Sequence, residues 1–160
     1  MALMTHESVE ARLTRLGIVL PERNAPAANY VPYVQTGNLV FIAGQTCKAD
    51  GTMVYRGRID NASMIPTGKL AARLCGLNLL IQLKNACGGD LNRVTRCVRI
   101  GVLVQTASEF SEHAKIADGV SDLMLEVFGE KGQHTRMTAG CYTLPSDSMV
   151  EADAIFEVMV

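Results

Sequence analysis

Tryptophan is absent from the 160-residue chain, and aromatic residues make up only 5% of it. The core must therefore be built from Leu, Ile, Val, Ala and Met, and no stripe of stacking rings is available for single-stranded nucleic acid. Charge of one sign is also missing. Fifteen basic residues face sixteen acidic ones, for a formal net charge of −1. That balance gives no dense positive field to neutralise a phosphate backbone and argues against nucleic acid as a partner. Arg93, Arg96 and Arg99 recur at spacings of three, but the Val-rich run around them reads as a strand, which splits them between faces. None of the five cysteines, Cys47, Cys75, Cys87, Cys97 and Cys141, forms a CxxC pair. An odd count in a chain this long suits reduced thiols rather than a disulfide framework. The three histidines, His6, His113 and His134, lie in no HxH or HxxxH pairing, so no metal site is expected. There is no P-loop and no GxSxG elbow. No apolar run reaches membrane-spanning length, and the opening MALMTHESVEARL carries acids instead of a signal-type apolar segment. These readings predict a cytoplasmic protein with no membrane partner.

What is present is a regular alternation of elements. Residues 5–16 have the pattern of a short amphipathic helix, with Thr5 as cap, Val9, Leu13 and Leu16 as its stripe, and Gly17 as its stop. The stretch PERNAPAANYVP (21–32), with three prolines, predicts extended irregular chain. Strands are predicted at 33–35 and 38–43, the second closed by Gly44, and at 52–55 after an Asp50-Gly51 turn. A long helix is predicted over 67–87, with Leu70, Leu74, Leu77 and Ile81 on one face and Gly88-Gly89 as its end. A strand over 93–105 precedes a helix over 109–128, where Phe110, Ala114, Ala117, Met124 and Phe128 have helical spacing. Two closing strands, 134–144 and 149–160, flank a Pro145-Ser146-Asp147 turn. In the last, Val150, Ala152, Ala154, Phe156 and Val158 alternate with Glu151, Asp153 and Glu157. The order predicts an α+β fold: a single mixed β-sheet with two main helices on one face, plus a short N-terminal helix. The polar side of the last strand must meet solvent or another subunit.

Three stretches carry more than periodicity: NYVPYVQTGNLVFIAGQ (29–45), LEVFG (125–129) and HTRMTAGCYTLPSDSMVEADAIFEV (134–158). Tyr33 follows Pro32, and Gly44-Gln45 follows a strand. Arg136 lies eight residues before Leu144-Pro145, and Glu151 six after Pro145. In these features the chain resembles the RidA/YjgF imine-deaminase family, also described as L-PSP endoribonuclease. The resemblance spans residues 25–160, with residues 1–24 as an N-terminal helix and linker of a longer branch. It implies a chorismate-mutase-like domain assembled as a homotrimer, with a small-molecule carboxylate substrate bound in inter-subunit clefts and no cofactor.

The resemblance also implies roles. Arg136 would grip the carboxylate of a 2-imino or enamine acid, a task its planar fork performs bidentately. Glu151 would serve as base toward water, or else simply hold Arg136. Tyr33 would line the cleft, or else be a core aromatic. Gly44 would offer a backbone N–H to the substrate, or end its strand, or do both. The chain departs from the family pattern at three positions. Ala43 stands where a serine is usual, Thr138 where a cysteine is common, and Asp118 is nearest to a usual asparagine, adding negative charge beside an anionic substrate. The implied activity is hydrolysis to a 2-keto acid and ammonia. The same arginine would equally serve a non-enzymatic small-carboxylate binder or regulatory trimer. Charge balance and the lack of stacking aromatics count against a ribonuclease.

Overall fold

The computed structural model describes residues 7–21 and 28–160. Thr5, the expected helix cap, and the expected boundary between residues 24 and 25 lie outside the described residues. Among the described residues, seven strands and three α-helices follow in the order α1 (Val9–Arg15), β1 (Tyr33–Thr36), β2 (Leu39–Thr46), β3 (Lys48–Ala49), β4 (Thr52–Met53), α2 (Ile65–Ala86), β5 (Val94–Gln105), α3 (His113–Phe128), β6 (Thr135–Cys141) and β7 (Val150–Val158).

Five strands form one sheet in the order β1-β2-β7-β5-β6, and β3 and β4 form a separate two-stranded ribbon. Only β5 and β6 run parallel. The sheet is therefore mixed, as predicted. The ribbon turns at Asp50 and Gly51, both at positive φ (+50° and +75°), which matches the right-handed twist of a tight hairpin.

Period-2 alternation decides which face of the sheet is covered. Val150, Ala152, Ala154, Phe156 and Val158 of β7 are buried beneath the helices, together with Cys97, Ile100, Val102 and Val104 of β5. The opposite face stays open. There Val34, Phe41, Leu103 and Met137 are exposed, and Arg99 pairs with Asp153 at 2.8 Å.

The buried face of α2 differs from the predicted one. Leu70 is 54% exposed, and the helix instead buries Ala71, Ala72, Cys75, Leu79 and Leu83. Small residues win this face because they allow close approach. A Cβ on Gly119 of α3 would overlap the carbonyl oxygen of Lys69, and one on Gly76 of α2 would sit 2.8 Å from Leu123 Cδ2. Leu70 is left on the outer side, while Leu74 and Leu77 stay partly buried against the core.

The second helix begins at His113 instead of 109, so Phe110 belongs to the preceding loop, although it is buried there. Its core stripe is Ile116, Val120, Leu123 and Val127 with the predicted Ala117, Met124 and Phe128, whereas Ala114 faces outward. Gly129 at φ +60° ends it. The first helix is shorter than predicted and is capped by Ser8, whose side chain accepts from Ala11 N. It is fastened to the domain by Leu13, by Asn92 Oδ1 accepting from Val9 N at 2.9 Å, and by Glu10, which accepts from Leu91 N at 3.0 Å. Glu7 just ahead of it is held to about 2, well below the usual carboxylate range, by hydrogen bonds from Arg15 and Arg12.

All five thiols are free, and four of them are buried. Burial alone pushes Cys97 up to about 12, and burial, followed by the neighbouring Cys47 thiol, raises Cys75 well above its ordinary value, so both thiols are inert in the folded chain.

The helix contact at Gly119 gives a prediction whose sign separates two effects. Helix propensity alone would make Gly119→Ala stabilising by about 1 kcal/mol. Contact with the Lys69 carbonyl should instead destabilise the chain by about 1–3 kcal/mol, the usual range for overpacking. Urea denaturation of the two proteins reads the sign directly.

Candidate functional site

Edge strand β6 and helix α3 enclose a furrow on the covered side of the sheet. Arg136 pairs in register with Ile100, Thr138 with Val102 and Gly140 with Val104, so all three project toward α3. The Arg136 Nη1 donates to Asp118 Oδ1 at 2.8 Å and to Ser121 Oγ at 3.0 Å, while its Nη2 donates to the Ala114 carbonyl at 3.3 Å. Three of the five guanidinium N–H groups are thus used, leaving two, Nε–H and one on Nη2, for a ligand.

The pairing continues behind Arg136. Ser121 Oγ lies 2.9 Å from His134 Nε2, and His134 Nδ1 lies 2.6 Å from the Gly132 carbonyl. Because a carbonyl only accepts, Nδ1 carries the proton and Nε2 accepts from Ser121, which in turn accepts from Arg136. The chain of donors fixes the arginine head in one orientation. A cavity of about 280 Å³ opens beside it, lined by Ser121, Leu125, Gln133, His134 and Arg136. Two residues further along β6 the Thr138 hydroxyl is buried without a hydrogen-bond partner among the described residues.

Glu151 lies elsewhere, on the open face of β7. It shares a cavity of about 290 Å³ with Gly44, Gly101, Leu103, Met137 and Asp153. Burial, then the nearby Asp153 carboxylate, raises its pKa above the ordinary value. Gly44 does not end its strand as expected. β2 continues to Thr46, and the register slips between Ile42 and Gln45. A Cβ at Gly44 would overlap Glu151 Oε1, so the bulge needs glycine to let the carboxylate lie over it.

Tyr33 sits on β1, opposite Ile42, and packs partly buried against the core. It stands on the far edge of the sheet from Arg136. Four strand spacings separate the two edges, roughly 19 Å at about 4.8 Å each.

One chain therefore brings together Arg136 with Asp118, and Gly44 with Glu151, but not these two pairs with each other or with Tyr33. The partner of Arg136 is Asp118, not Glu151. Ser121 and His134 are the residues that sequence reasoning missed. Spacing did carry a signal: Ser121 follows Asp118 by three on one helix face, and His134 precedes Arg136 by two on one strand face. Among the described residues no three His, Cys, Asp or Glu side chains converge on a metal position. No described helix is long and apolar enough to cross a membrane.

A five-stranded mixed sheet with two helices on one face and an arginine on the exposed edge strand defines a chorismate-mutase-like α+β domain. The chain belongs to the family described as "YjgF/chorismate mutase-like, putative endoribonuclease", whose model matches residues 10–157. It is 40% identical to protein TCP17 of Trypanosoma cruzi over 159 residues, which is 99% of each chain. It also resembles the crystal structure of Atu1372 from Agrobacterium tumefaciens, with 36% identity, a TM-score of 0.85, and coverage of 96% of this chain and 94% of that one. Escherichia coli TdcF with bound serine shares the fold at 22% identity and a TM-score of 0.59, covering 86% of this chain and 94% of that one. Membership supports a small-molecule-binding or deaminase-like role.

The Asp118 contact sets a measurable handicap on anion binding. Asp118→Asn removes the carboxylate that competes for Arg136 while keeping an acceptor oxygen. A charged hydrogen bond is worth about 1.5–3 kcal/mol, so calorimetric affinity for a small 2-oxo acid should rise about tenfold or more.

Proposed function

We propose that the protein is a hydrolytic deaminase of small 2-imino or enamine acids, releasing a 2-keto acid and ammonia, and that it acts as a homotrimer with clefts between subunits. The observation that carries this reading is the Arg136 head, oriented by Asp118, Ser121 and the Ala114 carbonyl and still holding two unused donors. A guanidinium so fixed is suited to a carboxylate, and TdcF, of the same fold, was crystallised with the amino acid serine.

The placement of the other residues supports the assembly. Arg136 and Tyr33 occupy opposite edges of the sheet, and Glu151 lies on its open face. A ligand that touches more than one of them therefore needs a second copy of the chain. Exposed Val34, Phe41, Leu103 and Met137 on that open face supply apolar area for such a contact.

In the proposed reaction Arg136 holds the substrate carboxylate. Water attacks the C=N carbon, and a C–O bond forms as Glu151 takes a proton from the water. The nitrogen is protonated, the C–N bond breaks, and loss of the hydroxyl proton leaves the C=O group. Orientation supplies much of the rate, because a protonated imine is already electrophilic. Gly44 offers its backbone N–H near Glu151, and Tyr33 forms part of the cleft wall brought by the neighbouring copy.

The Asp118 ion pair favours a second reading. With a carboxylate already on Arg136, the chain would hold small carboxylates without turning them over, as a binding or regulatory trimer.

An amino-acid oxidase or PLP lyase that generates the imine in situ tests the main reading, with keto-acid release followed with and without the protein. Arg136→Lys should keep the fold yet lose roughly tenfold to a hundredfold or more in both rate and 2-keto acid affinity. Glu151→Gln should lose turnover and keep binding. Because the Glu151 pKa is raised, its base form accumulates only above the ordinary glutamate range. The rate should therefore climb with pH through that elevated value, and Glu151→Gln should lack this limb. A parent that binds keto acids through Arg136 without accelerating imine loss establishes the binder instead.

The assembly has its own measurement. Light scattering in dilute buffer should give three times 17.3 kDa. A monodisperse monomer or dimer contradicts the inter-subunit cleft.

A further inference from the structure

Behind Arg136 stands a row of groups in which a single proton decides the direction of every hydrogen bond. Arg136 Nη1 donates to Ser121 Oγ at 3.0 Å, Ser121 Oγ lies 2.9 Å from His134 Nε2, and His134 Nδ1 lies 2.6 Å from the Gly132 carbonyl. All three side chains line the same cavity of about 280 Å³.

With a neutral imidazole, the one proton of Ser121 goes to Nε2 and one of its lone pairs is taken by Arg136. A proton added to His134 reverses the middle link. Nε2 then donates, both serine lone pairs are filled, and the serine proton turns toward the Arg136 side of the row. Asp118 Oδ1 accepts from the same Nη1 at 2.8 Å, so a carboxylate already stands on that side. A serine proton offered there competes with Arg136 for Asp118 and loosens its hold on the guanidinium. Nδ1 keeps the Gly132 carbonyl in both forms, so no heavy atom has to move.

Charge changes in the same sense. Arg136 and Asp118 together are formally neutral, and an imidazolium beside them makes the cluster cationic. The charged groups around the row are Arg136 on β6, Asp118 and Asp122 on α3, Glu130 and Lys131 in the turn before β6, and Arg99 on β5. Asp122 is paired with Lys69 at 3.5 Å, and Arg99 with Asp153 at 2.8 Å on the open face. Lys131 Nζ donates to the Val94 carbonyl at 3.4 Å. The other described histidine, His113, begins α3 and meets Phe110 edge-on.

We propose that binding of a small carboxylate at Arg136 is coupled through Ser121 to protonation of His134, so that the protein takes up a proton with its ligand. This rests on the carboxylate role of Arg136 proposed above, and it makes His134 and Ser121 positioning residues of that site. The sign follows from which form the ligand prefers. An anion favours the imidazolium, so affinity is highest below the pH range in which histidines titrate and is lost as pH rises through it. A 2-oxo acid stays ionised across that range and contributes no titration of its own. One unit charge about 7 Å from another changes an affinity about threefold in water and about fiftyfold at a protein surface; roughly tenfold is expected here.

Isothermal titration calorimetry with 2-oxopentanoate tests the inference. Between about pH 8 and pH 5.5, the range histidines span, affinity in the parent should rise roughly tenfold. Near the middle of that range, buffers of different ionisation enthalpy should reveal net proton uptake. His134→Gln should lose both effects, and His113→Gln should keep them. Glu151→Gln removes a raised carboxyl that acts in the same sense, and the dependence should survive it. Circular dichroism checks the fold of each variant. A measurement on the parent needs no variant to fold: ring ¹⁵N signals of His134 at intermediate pH should move toward the charged form when the acid is added. Affinity indifferent to pH, an unmoved His134 signal, or a dependence that persists in His134→Gln overturns the coupling and leaves the carboxylate role of Arg136 standing. Loss of the dependence in His113→Gln or Glu151→Gln also overturns it. Absence of binding, or binding indifferent to Arg136→Lys, overturns the underlying reading and the inference with it.

Discussion

Helix α3 can approach β6 only as closely as its packing on α2 permits, and that packing rests on Gly119 against the Lys69 carbonyl. The backbone of one helix touches the other at this point, which fixes the depth and rotation of α3 over the sheet. Everything on the β6 side of α3 inherits that placement. Asp118 adjoins the contact and meets Arg136 at 2.8 Å; Ser121, three residues further on, meets it at 3.0 Å. His113, a turn and a half earlier, reaches Gly140. Ion pairs on the exposed side of the same interface, Lys69 with Asp122 and Arg73 with Glu126, are half-solvated and add little. The steric contact and the apolar burial beneath it hold the furrow.

Asp118 gives the furrow its particular character. A carboxylate on the guanidinium orients the arginine and withdraws positive charge from any anionic ligand in the same contact. The relay through Ser121 to His134 makes this arrangement stiff, since each group has one consistent donor and acceptor role. A site built this way gains geometric selectivity at the expense of raw anion affinity.

The open face obeys a different constraint. Glu151 is desolvated over the Gly44 bulge, and Asp153 beside it repels its charge. Both effects disfavour the ionised form within a single chain. Asp153 is itself tied to Arg99 and to the Gly101 N–H, so it cannot easily move away. A carboxyl in that setting is poised to exchange a proton at milder pH than an ordinary glutamate.

Much of the architecture was legible because local periodicity decides it. The alternation in β7 named its buried residues correctly, since a strand between two neighbours has little choice but to point every second side chain at the helices. Gly129 and the Asp50-Gly51 turn were readable for the same reason: backbone conformation there depends on the residue type itself. The buried face of α2 was not legible. Leu, Ala and Gly compete for it, and hydropathy favours the first while the distance to a neighbouring helix favours the others. Arg136, Asp118, Glu151 and Gly44 could be picked out by type and spacing. Their division into two separate pairs could not, because whether a residue faces α3 or the open side follows from strand register and sheet order, which connect positions far apart in the chain. The sequence by itself determined the fold class, the alternating faces and the candidate residues, all properties of short stretches. Only the tertiary structure decided that Asp118 binds Arg136, that Glu151 lies on the other side of the sheet, and that Gly140 leaves room for His113, because each is a contact between segments that meet only when the helices close on the sheet.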